Sequence, residues 1–247
     1  MIIIRTFMLW FGIIIYTAIA FSLLAIMEFF MWLMKYSHPQ RVAHKVAEMW
    51  ARAFFVFTPG WKLIKTGLEN LPPKDEPVVY ISNHQSMSDI WAMYSLRRQF
   101  RWIAKDMIFK LPAIGQSMKW AGYIPIKRGS RQSMEIAMAS AHRVLKGGDS
   151  MFFFPEGTRS ENDELLPFKI GAFKLAGEAN VRVVPLTLDG AGRLIRKGSP
   201  IASSSTVRVH VDLPIEKFPE ETLEQFAARA RTIISQNLAK LRMQVQS

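Results

Sequence analysis

Cysteine is absent from all 247 residues. Disulfides, thiolate metal sites and cysteine nucleophiles are therefore excluded, and the absence is in keeping with a reducing compartment. The signatures of several common chemistries are missing too. There is no Walker phosphate loop, no Gly-x-Gly-x-x-Gly dinucleotide fingerprint and no His-Glu-x-x-His metal helix. Without Gly-x-Ser-x-Gly, an α/β-hydrolase elbow has no support. No helix-turn-helix, zinc-finger or RNA-binding signature occurs, so nucleic acid is not expected as a partner. Acidic residues are scarce: 20 Asp and Glu face 32 Lys and Arg, a net charge of +12. Such an excess is either a solvated surface or a face for an anionic membrane or acidic partner.

What the chain does have is an apolar beginning. Hydrophobic residues make up 49% of it and mean hydropathy is +0.08. Between Arg5 and Lys35 the only charge is Glu28, and Thr6 to Met27 is an unbroken run of 22 uncharged residues. As a helix such a run is roughly 33 Å long, enough to cross a bilayer core. Ala18-Ile19-Ala20 resembles a signal cleavage site, but the apolar stretch is longer than that of a signal peptide. Trp10, Phe11 and Tyr16 favour a membrane-embedded helix over a buried core helix. His38-Pro39 breaks this helix.

Arg41 to Phe57 predicts a second, amphipathic helix. Val42, Val46, Met49, Trp50, Ala53 and Phe57 form one face, and Arg41, Lys45, Glu48 and Arg52 another. Two readings stand side by side: a helix lying at the bilayer interface, and a helix packed on the domain that follows. We read residues 1–57 as a two-helix membrane anchor and 58–247 as the catalytic domain. Whether the first helix spans or enters one leaflet is open at this level. If it spans, the Lys and Arg excess after residue 35 places the domain on the cytoplasmic face of the cell membrane.

From Trp61 onward, strand-like and helix-like runs alternate. Strands are expected at 61–65, 78–82, 100–104, 122–128, 150–154, 181–188 and 207–211. Helices are expected at 90–96, 133–145, 171–179 and 221–243, with a short irregular or helical piece before Gly115. The order predicts an α/β domain, a mostly parallel sheet flanked by helices. Gly190 to Ser205, with Arg193, Arg196 and Lys197, reads as a mobile basic surface loop.

In such a sheet, sites gather beyond the carboxyl ends of the strands. Asn83-His84-Gln85-Ser86-Met87-Ser88-Asp89 falls there. On one helix the histidine and the carboxylate would not face each other, whereas a strand, a tight turn and a helix start can join them. That pair suits a general base, His84, oriented by Asp89. Lys105, Lys127-Arg128 and the loop Pro155-Glu156-Gly157-Thr158-Arg159-Ser160 also follow expected strands. Convergent cations suit a phosphate, which arginine can grip through two oxygens. Any one of them is by default a solvated surface charge. Glu156 either bonds loop backbone or meets a substrate hydroxyl. Ser86 and Ser88 are either nucleophiles or caps of the helix carrying Asp89. His38, His44, His142 and His210 are scattered and read as surface or packing histidines.

Taken in order, these blocks resemble the glycerolipid acyltransferase family. Asn83 to Asp89 resembles its Asn-His-x-x-x-x-Asp block, and Lys105 to Pro112 with Gly115 the block after it. Gly122 to Arg128 resembles Gly-x-x-x-x-x-Arg, Phe154 to Ser160 resembles Phe-Pro-Glu-Gly-Thr-Arg-Ser, and Val183-Val184-Pro185-Leu186 the last, apolar block. The size and the wording of the fourth block look most like bacterial members that act on lysophosphatidate. The resemblance implies transfer of a fatty acyl group from acyl-CoA or acyl carrier protein to the sn-2 hydroxyl of lysophosphatidate, giving phosphatidate. It implies His84 and Asp89 as catalytic and Lys105, Arg128 and Arg159 as phosphate-binding. Asn83, Ser86, Glu156, Gly157 and Thr158 are then supporting motif residues. No metal or cofactor is expected beyond the thioester co-substrate, and the expected partners are anionic membrane lipids and an acidic carrier protein. Another acceptor, glycerol 3-phosphate or a different lysolipid, and a Ser/His lipid hydrolase stand as alternatives.

Overall fold

Seven short runs rich in β-branched and aromatic residues pair into one sheet of order β1-β7-β6-β2-β5-β3-β4. The computed structural model describes residues 2–160, 164–196 and 198–246. The strands are β1 (Trp61–Thr66), β2 (Val79–Ser82), β3 (Phe100–Lys105), β4 (Ile124–Ile126), β5 (Ser150–Phe153), β6 (Val183–Asp189) and β7 (Ser205–Val211). Every pairing is parallel except that of β6 with β7. The expected mostly parallel sheet is therefore present, with β7 and β1 running against the other strands at one edge. β4 is shorter than the expected 122–128: Gly122 turns at φ +69°, and Lys127 and Arg128 lie past its end.

Helices cover both faces, which is why the central strands are buried on each side. On one face lie α2 (Pro39–Phe57), α3 (Ser88–Tyr94), α4 (Ile114–Trp120) and α7 (Ala191–Leu194), packed on Tyr80, Phe100, Phe152 and Leu188. On the other lie α5 (Arg131–Lys146), α6 (Gly171–Ala179) and α8 (Leu223–Gln246), packed on Val79, Ile81, Met151 and Val183. Because five strands point the same way, the ends of β2, β5, β3, β4 and β6 open onto one rim.

The N-terminal pair of helices departs from the expectation of two anchors. Among the described residues, only α1 (Ile2–Leu33) contains a stretch long and apolar enough to cross a bilayer, Thr6–Leu33, with a mean hydropathy of 2.3. α2 belongs to the core. Its Ala43, Ala51 and Phe54 are buried, and Phe54 packs on Trp91 of α3 with ring centroids 4.5 Å apart. The buried face is offset from the expected one: Ala43, His44, Glu48, Ala51 and Phe54 turn inward, whereas Met49 and Phe57 of the expected apolar face stay exposed.

His44 is the polar rivet of that packing. It is fully buried, with Nε2 donating to the Arg98 carbonyl and Nδ1 accepting from the Tyr123 hydroxyl, each at 2.9 Å. The carbonyl can only accept, which fixes the tautomer. Burial, reinforced by the charge on Arg101, pushes its pKa down from 6.5 to about 3. The unfolded chain then binds a proton below pH 6.5 that the native chain refuses. This contribution is intact above pH 6.5 and is lost as pH falls toward 3, at about 1.4 kcal/mol per pH unit at most. Thermal midpoints measured in detergent from pH 7 to 4 are expected to fall more steeply for the parent than for His44→Phe. Parallel curves would contradict this.

The segment expected to be a mobile basic loop, Gly190 to Ser205, is packed instead. Leu194, Ile195 and Ala202 are buried, and Ile195 bridges Ala202. Lys197 lies outside the described residues. The segment is held from beneath by α1: Trp10 donates to the Pro200 carbonyl at 2.7 Å, and Ala202 N–H donates to Thr6 at 3.3 Å.

Candidate active site

The turn between β2 and α3 builds the site. His84 leaves the end of β2, and Asp89 sits in the first turn of α3. The His84 Nδ1–H donates to Asp89 Oδ2 at 2.7 Å. The same oxygen accepts from the Gln85 and Ser86 backbone amides at 2.6 and 2.9 Å. Asp89 has no solvent exposure; the three donors replace water at Oδ2, while Oδ1 has no hydrogen-bond partner among the described residues. A carboxylate at Nδ1 also selects the tautomer with its proton on Nδ1, leaving a lone pair on Nε2. Phe154 stacks on the imidazole with centroids 4.0 Å apart and planes 13° apart, and Trp102 stacks behind Phe154. Ring orientation is thus set from the edge by Asp89 and from the face by Phe154.

Glu156 fixes the turn from the neighbouring strand. Its Oε1 accepts from the His84 backbone amide at 2.7 Å and its Oε2 from that of Leu166 at 3.0 Å. Both oxygens hold loop backbone, which favours the first of the two readings offered for this residue. Burial pushes its pKa up, and the amides of His84 and Leu166 oppose that shift. Ser160 N–H donates to the His84 carbonyl at 3.0 Å, so the loop after β5 grips His84 at both its amide and its carbonyl. Asn83 does the same toward β6, exchanging two 2.8 Å bonds with the backbone of Leu188.

Ser86 and Ser88 are fully buried. Their hydroxyls donate to the carbonyls of Ile195 at 2.6 Å and Ala191 at 3.0 Å. They fasten the 190–202 segment to the His84 turn. Ser86 also caps the start of α3 as expected: its Oγ accepts from the Ser88 amide at 3.3 Å, while Asp89 accepts from the Ser86 amide. The Ser88 hydroxyl only donates to Ala191.

The cations divide into near and far. Gly157, Thr158 and Arg159 lie on the loop after β5, directly beside β2, and Arg159 is half-buried. Lys105 ends β3, two strands from β2, in register with Ile126 of β4. Arg128 follows β4, three strands out, and both Lys105 and Arg128 are exposed. At about 4.8 Å per strand, their backbones emerge about 10 and 14 Å across the sheet from that of His84. The structure brings Asn83, His84, Asp89, Glu156 and the 157–159 loop together, and sets Lys105 and Arg128 further along the same rim.

Phe154 heads the fourth motif block, but its stacking on the imidazole is not apparent from that block. Two further neighbours lie outside the motifs. Leu238 of α8 lines a narrow cleft with Asn83, His84 and Glu156. Lys169, whose amide donates to the Pro155 carbonyl at 2.9 Å, lays its side chain across Gly157. A Cβ on Gly157 would stand 2.7 Å from the Lys169 ammonium, and Gly157 has φ +71°. The only sequence signal for this contact is the glycine itself, a position where a side chain is excluded.

Among known proteins, the family model described as Acyltransferase matches residues 62–189. A chloroplastic 1-acyl-sn-glycerol-3-phosphate acyltransferase of Arabidopsis thaliana is 43% identical over 173 residues, 70% of this chain and 48% of that protein. A 1-acyl-sn-glycerol-3-phosphate acyltransferase of Borreliella burgdorferi is 27% identical over 186 residues, 74% of each. The chain thus spans about half the length of its plant relative. The crystal structure of the 1-acyl-sn-glycerophosphate acyltransferase PlsC of Thermotoga maritima superposes with a TM-score of 0.81 at 22% identity, covering 98% of this chain and 96% of that one. At that identity the likeness speaks to the fold.

Proposed function

The chain belongs to the acyltransferase family, and on that premise we propose that it moves a fatty acyl group from acyl-CoA or acyl carrier protein to the sn-2 hydroxyl of lysophosphatidate, releasing phosphatidate and the free thiol. The observation that carries the reading is the imidazole of His84, held by Asp89 and Phe154 with Nε2 turned away from its carboxylate, beside a loop bearing Arg159. Nε2 takes the proton of the acceptor hydroxyl as its oxygen attacks the thioester carbonyl. The tetrahedral intermediate collapses, the C–S bond breaks, and the imidazolium returns the proton to the leaving thiolate. Buried Asp89 stabilises the transient cation. Transfer is direct, since Ser86 and Ser88 are buried and committed to backbone carbonyls. The same fact weighs against a serine hydrolase.

Arg159 holds the acceptor phosphate, with Lys105 and Arg128 as outer cations and Lys169 as a further one above Gly157. Bonds between charged groups are worth about 1.5–3 kcal/mol, so Arg159→Ala or Lys169→Ala is expected to raise KM for lysophosphatidate by roughly ten- to a hundredfold. Activity on an uncharged monoacylglycerol should change little. An equal loss on both acceptors would remove these residues from phosphate binding. The acceptor itself is tested by a panel of lysophosphatidate, glycerol 3-phosphate and a zwitterionic lysolipid, each with both donors. Preference for either of the last two acceptors would overturn the assignment.

Long acyl chains call for a membrane-bound site, since each exposed CH₂ costs about 0.8 kcal/mol. Packed positions recur along α1 from Thr6 through Trp10, Ile13, Thr17, Phe21 and Leu24 to Met31. This narrow stripe follows the helical period and lies against the folded domain, while Phe7, Phe11, Ile15, Ile19 and Phe30 face outward. A helix bound to the domain along its length could cross a bilayer only by drawing loop backbone such as Pro200 into hydrocarbon. We therefore place α1 in one leaflet, its outer row in the acyl chains. The domain would rest on the cytoplasmic face of the cell membrane, its positive charge toward anionic lipids.

A further inference from the structure

We propose that the tip between β3 and α4 is a second membrane-contact element, inserting Met107 and Leu111 into an anionic bilayer while Lys110 and Lys119 meet lipid phosphates. The proposal rests on the membrane reading above and adds to α1 a second fixed point.

After Lys105 the chain makes a short 3-10 turn, Asp106–Lys110, before α4 begins at Ile114. The inner side of this turn is anchored. Phe109 is buried, and Gly115 approaches its carbonyl so closely that no side chain would fit there. Yet the outer side exposes three large apolar residues within eight positions: Met107 at 62%, Leu111 at 49% and Ile114 at 38%. Single exposed apolar residues need no explanation, whereas a cluster at a rigid tip marks a contact surface. Exposed Lys105, Lys110 and Lys119 surround it. Asp106 is the sole acid from residue 101 to 134, and its carboxylate accepts from the Met107 amide at 2.9 Å.

An apolar tip ringed by lysines matches an anionic lipid surface, with the side chains entering the acyl region and the ammonium groups at the phosphates. An acidic protein would answer the lysines alone. The tip is also continuous with α1, because Trp120 of α4 stacks on Phe21 of α1 with centroids 5.6 Å apart. It stands at the rim, directly after Lys105. The other end of the rim is bordered by the N-terminal turns of α1, where Phe7, Met8 and Phe11 are exposed. A single in-plane helix leaves the domain free to roll about the helix axis. A second contact at the far side of the rim fixes that angle and holds the phosphate-binding cations at headgroup level.

The test is vesicle flotation of the full chain on vesicles of phosphatidylglycerol with phosphatidylcholine, and on pure phosphatidylcholine. The double substitution Met107→Ser with Leu111→Ser is expected to lower partition at least tenfold on both. Lys110→Gln with Lys119→Gln should lower it on the anionic vesicles alone. Turnover of a short-chain, water-soluble lysophosphatidate should be unchanged in both variants. Independently of how these variants fold, the indole fluorescence gained in Leu111→Trp should be quenched by lipids brominated in the acyl chain. Parent-like partition of the double variant, or no such quenching in a vesicle-bound Leu111→Trp protein, overturns the second contact while leaving α1 as the anchor. Failure of the parent itself to float overturns the membrane reading and this proposal together.

Discussion

Replacing His84 with alanine is expected to lower kcat by roughly 10²–10⁴-fold, the range of a positioned general base, with no loss of folding. The fold should survive because His84 contributes to it through its backbone. Its amide donates to Glu156 and its carbonyl accepts from Ser160, and both bonds persist in alanine. The side chain is 17% exposed. KM for either substrate should move little, because the imidazole acts on the reacting proton. Asp89→Asn makes a sharper control. An asparagine oxygen still accepts from the Gln85 and Ser86 amides, which keeps the turn. The same oxygen also keeps its bond from His84 Nδ1–H, so the tautomer is retained and what is lost is the negative charge that stabilises the imidazolium. A loss of similar order with an unchanged melting curve is expected. Asp89→Ala would be uninformative, because it leaves those two amides without their acceptor. Robust transfer by His84→Ala would reject its role as base.

The second large effect is expected from α1. Phe11→Ser, Ile15→Ser and Ile19→Ser together alter residues that are 56%, 45% and 53% exposed, so folding should be spared. Burying each of the parent side chains in lipid contributes about 1.5–3 kcal/mol. Loss of three is about 5 kcal/mol or more, over 10³-fold in membrane partition at ~1.4 kcal/mol per tenfold. Activity on long-chain acceptors in vesicles should fall with partition, while turnover of short-chain soluble substrates holds. Undiminished vesicle activity would contradict the anchor. Deleting residues 1–57 would be a poorer experiment, because Ala43, His44, Ala51 and Phe54 of α2 belong to the domain core.

The His84–Asp89 pair was legible in the sequence because its geometry is local. The two residues lie on either side of one tight turn, and a strand–turn–helix pattern is enough to make them face each other. The alternation of strands and helices likewise indicated the α/β layering, and Gly171–Ala179 matches the expected helix to the residue. What escaped is tertiary. Alternating Val207, Val209 and Val211 mark a strand but carry no direction, so the reversal of β7 was not visible. The 190–205 segment looked mobile from its glycines, serines and cations. Its order comes from Leu194 and Ile195 entering the core and from the Ser86 and Ser88 hydroxyls reaching its carbonyls. α2 reads as an interfacial helix from its apolar spacing, but the face it buries, Ala43, His44, Glu48, Ala51 and Phe54, includes polar residues that a hydropathy pattern assigns to solvent. Lys169 had no motif to announce it, being brought to Gly157 by the return of the chain to Pro155.

The most direct test is the product of purified protein given lysophosphatidate and a long-chain acyl thioester in vesicles. Thioester loss should equal phosphatidate formed, with the new acyl group at the sn-2 oxygen and free fatty acid at background, and His84→Ala should abolish both. Thioester loss that yields free fatty acid without acylated lysophosphatidate would contradict direct transfer.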